Sequence, residues 1–168
     1  MSNEKFILDA TSGFRSMWFN KHHPNTIYLD QRPECEPDIV ADHTDLKQFK
    51  DETFRLIVFD PPHIIRPNGR NMMQMVATFG ALEPDTWRQD LKKAFSELWR
   101  LLKPYGVLVM KWNNQQIASS DMLKLLGKDP LVYQISSTRR RSDKCHTQTL
   151  HTLWFTFMKI LEEAKKVG

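Results

Sequence analysis

Phe54-Arg55-Leu56-Ile57-Val58-Phe59-Asp60-Pro61-Pro62-His63 is a near-continuous apolar run that stops on a carboxylate, two prolines and a ring. Apolar residues without alternation mark a strand buried on both faces of a mostly parallel sheet. Each proline fixes φ and lacks an N–H, so the strand ends in a stiff turn at Asp60. Working outward from this strand over 54–60, shorter apolar runs at 5–10, 26–30 and 38–42 read as three earlier strands. Runs at 107–112, 131–137 and 152–159 read as three later ones. Trp87, Leu91, Ala94, Leu98 and Leu102 share one helical face, which predicts a helix over 86–102. Thr86 and Gln89 have capping-box spacing, and Lys103-Pro104-Tyr105-Gly106 supplies a stop. A weaker helix is expected over 120–126, and the tail from Leu161 reads as a short helical or frayed end. Strands alternating with helices define an α/β domain.

The 168 residues suit one compact domain over 1–168, with enough chain to close a core without disulfide staples. Cys35 and Cys145 stand far apart without CxxC spacing, which argues against a metal site or disulfide framework and fits a reducing cytoplasm. No apolar run approaches the length of a membrane span, and no signal-peptide pattern opens the chain. Net charge is +4, a mild excess that says little by itself about partners. Its densest basic stretch is Arg139-Arg140-Arg141, followed by Lys144, in what reads as a loop over 139–149. Residues 64–85 carry Pro67, Gly69, Gly80 and Pro84 around Met72, Met73 and Met75. A stretch this long without clear structure is commonly a binding loop, although the methionines could equally form one turn of buried helix.

The tetrapeptide Asp60-Pro61-Pro62-His63 carries the chemistry. A stiff turn accounts for the prolines but not for a carboxylate at a buried strand end or the ring after it. An exocyclic amine on adenine or cytosine is a poor nucleophile, because its lone pair is delocalised into the ring. The Asp60 carboxylate and the Pro61 carbonyl offer two acceptors for its N–H hydrogens. That pairing favours a pyramidal nitrogen and stabilises the charge that develops there. The prolines hold both acceptors rigid. The His63 ring offers a stacking surface for an extruded base and brings a titratable nitrogen.

Asp60-Pro61-Pro62-His63 resembles the catalytic motif of the amino-methyltransferase group of class I S-adenosyl-L-methionine (SAM)-dependent methyltransferases. That motif is usually Asp, Asn or Ser, then Pro-Pro, then Tyr, Phe or Trp; here His63 holds the fourth position. Phe6-Ile7-Leu8-Asp9-Ala10-Thr11-Ser12-Gly13-Phe14-Arg15 is similar to the group's cofactor loop, with Thr11 and Arg15 where glycines often stand. Asp30 ends the second strand about 20 residues on, where a carboxylate suits ribose hydroxyls. Asp42, with His43 after it, matches the position that meets the cofactor adenine. In a parallel α/β sheet these strand ends line one crevice.

The resemblance spans about 150 residues and implies a seven-stranded Rossmann-like sheet in the order 3-2-1-4-5-7-6, with strand seven antiparallel. It implies SAM held by Asp9, Ala10, Thr11, Ser12, Gly13, Asp30, Asp42, His43 and Asp60, with Asp60, Pro61, Pro62 and His63 catalytic and no metal. The activity implied is N-methylation of an exocyclic amine, adenine N6 in DNA before RNA or another amine. A catalytically silent SAM- or nucleic-acid-binding subunit is the reading from a different class. The chain has no room for a separate target-recognition domain, so specificity is slight, lies in the 64–85 and 139–149 loops, or needs a partner or second copy. Strand six should run parallel to strand four and bring Arg139, Arg140, Arg141 and Lys144 to the Asp60 edge, where guanidinium groups suit phosphate. Two other features carry less: His22-His23 reads as surface histidines, and Lys111-Trp112-Asn113-Asn114 closes strand five, with Trp112 either lining the pocket or in the core.

Overall fold

Residues 56–59 and 106–113 alternate half-buried and buried positions, and such runs form the middle of a seven-stranded sheet. The computed structural model describes residues 4–65, 80–143 and 146–161, with backbone alone for 137–143 and 146–150. The strands are β1 (Ile7–Asp9), β2 (Thr26–Asp30), β3 (Ile39–Val40), β4 (Phe54–Phe59), β5 (Leu102–Asn113), β6 (Val132–Asp143) and β7 (His146–Met158). Their order is β3-β2-β1-β4-β5-β7-β6. Strands β3 to β5 pair in parallel, and β7 is antiparallel to both β5 and β6. This is the order and polarity expected from the sequence.

Helix α1 (Trp87–Leu101) and helix α2 (Ser119–Leu126) cover one face of the sheet. The register places Ile57, Leu108 and Phe157 in one row and Phe59, Met110 and Phe155 in the next. All six are buried, and α1 contributes Leu91, Ala94, Phe95 and Leu98 to the same core. Phe95 meets Phe157 edge-on with ring centroids 5.2 Å apart. Trp112 is fully buried in this core, its Nε1–H donating to the Ile117 carbonyl, which settles its place.

Several boundaries differ from the sequence reading. The connection over 10–25, to which the sequence reading assigned no element, is a series of turns. It covers the opposite face at β1 and β2, with Trp18 edge-on to Tyr28 at 5.2 Å and the Arg15 guanidinium 4.1 Å from the Tyr28 ring centre. The capping box does not form: Thr86 makes no cap hydrogen bond and its hydroxyl donates to Asp90 instead. Lys103-Pro104-Tyr105-Gly106 is not a stop outside the sheet but a bulge within β5. The pairing with β4 jumps from Phe54↔Leu102 to Leu56↔Val107, and Tyr105 takes a φ of 60°. A Cβ on Gly106 would lie 2.8 Å from the Lys103 carbonyl oxygen, so glycine is required there.

The expected loop over 139–149 is a correction of a different kind. β6 and β7 continue past Asn113↔Thr152 for six further pairs, from Thr138↔His151 to Asp143↔His146. Arg139, Arg140 and Arg141 therefore stand on the rungs of a two-stranded ribbon; Lys144 and Cys145 lie outside the described residues. Polar residues extend the ladder because backbone groups, not side chains, pair across it. Most of the expected 64–85 loop also lies outside the described residues. Its two flanks meet where Ile65 bridges Leu82, and the Leu82 N–H donates to the Ile64 carbonyl. Among the described residues no helix is long and apolar enough to cross a membrane.

Candidate active site at the strand ends

The carboxyl ends of β1, β2 and β4 bring three buried or half-buried carboxylates together. Asp9 faces the Trp18 indole, whose Nε1–H donates to Oδ2 at 2.6 Å, and the Thr11 N–H donates to Oδ1. Burial pushes its pKa up to about 7 against those two hydrogen bonds, and the nearby Asp60 and Asp30 charges add to the rise. Asp30 is 5% exposed. It accepts the Gly13 N–H at 2.7 Å, the Arg32 N–H, and both Nε–H and a terminal N–H of the Arg32 guanidinium. Burial pulls its pKa upward, but the Arg32 side chain and the two N–H donors outweigh it and hold the carboxyl below the usual range.

The loop between β1 and β2 supplies the backbone donors. Gly13 has a φ of 47° and Arg15 one of 56°. Both are left-handed, which is why glycines suit such a loop. Ser12 is 6% exposed, and among the described residues its buried hydroxyl has no hydrogen-bond partner. An orphaned hydroxyl in a loop that also lends its N–H groups to a carboxylate fits a ligand with polar groups, since buried polar atoms are otherwise satisfied.

Asp60 joins this loop to the proline turn. Its N–H donates to Thr11 Oγ1 at 2.7 Å, and its Oδ2 accepts from Lys111 Nζ at 2.7 Å. His63 sits over the end of the core, its ring 6.4 Å from Trp112. Burial lowers its pKa; Asp60 opposes the fall, Lys111 adds to it, and the Pro61 carbonyl opposes it. The ring is therefore neutral at neutral pH, and among the described residues its buried Nδ1 has no partner. Gly80 packs against Pro62, where a Cβ would stand 3.1 Å from the proline ring.

Two adjoining cavities meet at Asp60. The larger, about 460 Å³, is lined by Thr11, Ser12 and Gly13 from the loop, by Asp60 through Ile64, and by Lys111 and Asn113 from β5. The smaller, about 40 Å³, lies between Ala10, Asp30, Arg32 and His43. Thr11, Arg32, Asp60, Pro62 and Gly80 border both, so Arg32 stands between them. The expected residues Ala10, Thr11, Ser12, Gly13, Asp30, His43, Asp60, Pro61, Pro62 and His63 thus share one crevice. Asp9 lies beneath it. Asp42 lines neither cavity: its Oδ1 accepts the Thr44 N–H at 2.8 Å, and that contact, with His43 beside it, outweighs burial and lowers its pKa. His43 packs on Phe59 at 5.6 Å, and burial lowers its pKa against the Asp42, Asp30 and Asp90 charges. Sequence reasoning missed Arg32 and Trp18 and singled out Lys111 only as part of a strand end. Arg32 was signalled by its place two residues after a strand-end carboxylate.

Neither a family model nor a curated protein matches the sequence. Solved structures do. A SAM-dependent methyltransferase from Methanosarcina mazei superposes with a TM-score of 0.60 at 11% identity, over 96% of this chain and 95% of that one. Geranyl diphosphate C-methyltransferase from Streptomyces coelicolor A3(2), solved with Mg2+, geranyl diphosphate and S-adenosyl-L-homocysteine, gives 0.56 at 12%, over 94% and 72%. The 4+2 cyclase SpnF gives 0.52 at 13%, over 78% and 54%. The shared frame carries more than one chemistry, so activity has to be argued from the site. The sheet order and these superpositions establish that the chain has the Rossmann-like fold of class I SAM-dependent methyltransferases.

Proposed function

We propose that this chain is a SAM-dependent N-methyltransferase acting on an exocyclic amine, with adenine N6 in DNA as the leading acceptor. One observation carries the reading: Asp60, on a proline-stiffened turn, is common to both cavities and is tied by its backbone to the β1 loop. Asp30, Gly13, Ser12 and His43 would hold the cofactor, and the orphaned Ser12 hydroxyl fits a polar ligand there. When bound, SAM would supply an electrophilic methyl group to the amine, with S-adenosyl-L-homocysteine as the leaving group, and Asp60 would take the N–H proton that the amine loses. Asp60 and the Pro61 carbonyl accept the amine hydrogens without reorganisation, because the prolines fix both. A neutral His63 offers a stacking face for the base.

The ribbon supports a nucleic-acid acceptor. β6 is parallel to β4, because both are related to β5 through one parallel and two antiparallel pairings. Its six further pairs therefore extend past the strand ends where Asp60 lies, for roughly 20 Å at the usual strand rise. A two-stranded ribbon fits the major groove of DNA. Incubation with tritiated SAM and pools of DNA, RNA and protein tests the reading. Label should enter DNA as N6-methyladenine, and Asp60→Ala should lower turnover by about a hundredfold or more while SAM still binds. Label confined to protein, or an Asp60→Ala variant of wild-type activity, contradicts it.

A further inference from the structure

Val58 of β4 pairs with Val109 of β5, so two residues further on Asp60 and Lys111 stand on the same face of the sheet. The Lys111 ammonium reaches Oδ2 of Asp60 at 2.7 Å, and both side chains are partly covered, at 29% and 22% exposure. The other oxygen differs. Among the described residues Oδ1 of Asp60 makes no hydrogen bond, and the carboxylate borders the 460 Å³ cavity together with Lys111, Pro61 and His63. A charge-assisted hydrogen bond is short and directional, and fixing one oxygen of a carboxylate fixes the orientation of the other.

We propose that Lys111 is a positioning residue for methyl transfer: by holding Oδ2 of Asp60 it presents Oδ1 to the acceptor amine. The inference rests on the methyltransferase reading of Asp60. It also narrows the acceptor. The ammonium lies on the wall of the cavity that the amine enters. A protonated alkylamine meets like charge there, whereas a weakly basic aryl amine arrives neutral. Without the ammonium, the carboxylate is free to turn about its Cβ–Cγ bond, and the preorganisation that makes an acceptor effective disappears.

Lys111→Met and Lys111→Arg test the idea, with an adenine-containing single-stranded oligonucleotide and a lysine-containing peptide as acceptors. The methionine variant should lose at least tenfold in kcat on the oligonucleotide with KM values for SAM and oligonucleotide within threefold of wild type. The arginine variant, able to hold the same oxygen, should recover most of the loss, and wild type should leave the peptide unmodified. An unchanged kcat in Lys111→Met, a loss confined to KM, or an arginine variant no better than methionine overturns the positioning role. Crystal structures of wild type and Lys111→Met give a reading independent of turnover. Asp60 should hold one carboxylate orientation in wild type and turn or split between two in the variant; one unchanged orientation overturns the proposal. Failure of the wild-type enzyme to methylate the oligonucleotide would instead count against the adenine reading, with the crystallographic comparison still deciding the role of Lys111.

Discussion

Thr11 Oγ1 accepts the backbone N–H of Asp60 at 2.7 Å, so the loop after β1 and the proline turn after β4 are fastened across 49 residues of sequence by one hydroxyl. Thr11→Val keeps the shape and removes the acceptor. Leaving that N–H unpaired should cost about 1–3 kcal/mol of folding stability and displace Asp60 enough to lower turnover. Urea denaturation beside a methyl-transfer assay checks both effects. Wild-type stability and rate in the variant would show that the hydrogen bond is incidental.

Asp30→Ala should weaken SAM binding by about 1.5–3 kcal/mol, the usual loss for a hydrogen bond to a charged group. The same change takes both Asp30 oxygens away from the Arg32 guanidinium at the boundary between the cavities. Calorimetric titration with SAM reads the affinity. A variant that binds as tightly as wild type would remove Asp30 from the cofactor site.

Asp9 makes stability depend on pH. Its folded pKa of about 7 lies above the ordinary 3.8, so the folded state binds the proton more tightly than the unfolded chain does. Stability falls as pH rises through that window, and the full penalty, at most about 4 kcal/mol, stands above it. Asp9→Asn preserves an acceptor for Trp18 and removes the titration. Its denaturation midpoint should exceed that of wild type at pH 8, with the advantage shrinking by pH 5. Parallel pH profiles for the two proteins would contradict the assignment.

His63→Phe separates stacking from proton transfer. The buried, neutral ring points to stacking, so the variant should keep turnover within a few-fold and lose any activity change below the ordinary histidine range that arises from this imidazole. Collapse of activity across the whole pH range would assign His63 an acid–base role instead.

Arg139, Arg140 and Arg141 are tested together by replacement with Ala. Binding of DNA should weaken regardless of sequence, and the log–log salt slope should fall by about 0.7–0.9 for each phosphate that the variant no longer neutralises. An unchanged slope would take the ribbon off the binding surface.

Much of this architecture is legible in the chain because buried parallel strands write themselves as apolar runs. Leu56 to Phe59 and the Asp that follows are the clearest example. The ends of β6 and β7 were not legible: Ser142, Asp143, Thr147 and Gln148 resemble a polar loop, and a ladder paired through the backbone needs no apolar pattern in the sequence. The bulge at Tyr105 hid the start of β5, since a turn inside a strand carries the same residues as a turn between elements. At the site, Asp9, Asp30 and Asp60 announced themselves by position. Trp18 with Asp9 and Lys111 with Asp60 did not, because such pairings are properties of the folded register.

The helix-free connection over 10–25 has a consequence for how the molecule breathes. Amides in a helix exchange with solvent only when the helix opens, whereas turns open locally at little free energy. This stretch is held by side-chain contacts such as Trp18 on Asp9, and by isolated bonds such as the Ser12 N–H to the Leu29 carbonyl. It should exchange deuterium well before β4, β5 and β7, forming a cooperative unit of its own. A ligand resting on Gly13 would then register first as slowed exchange across residues 10–25, while the protection of the central strands stayed as it was.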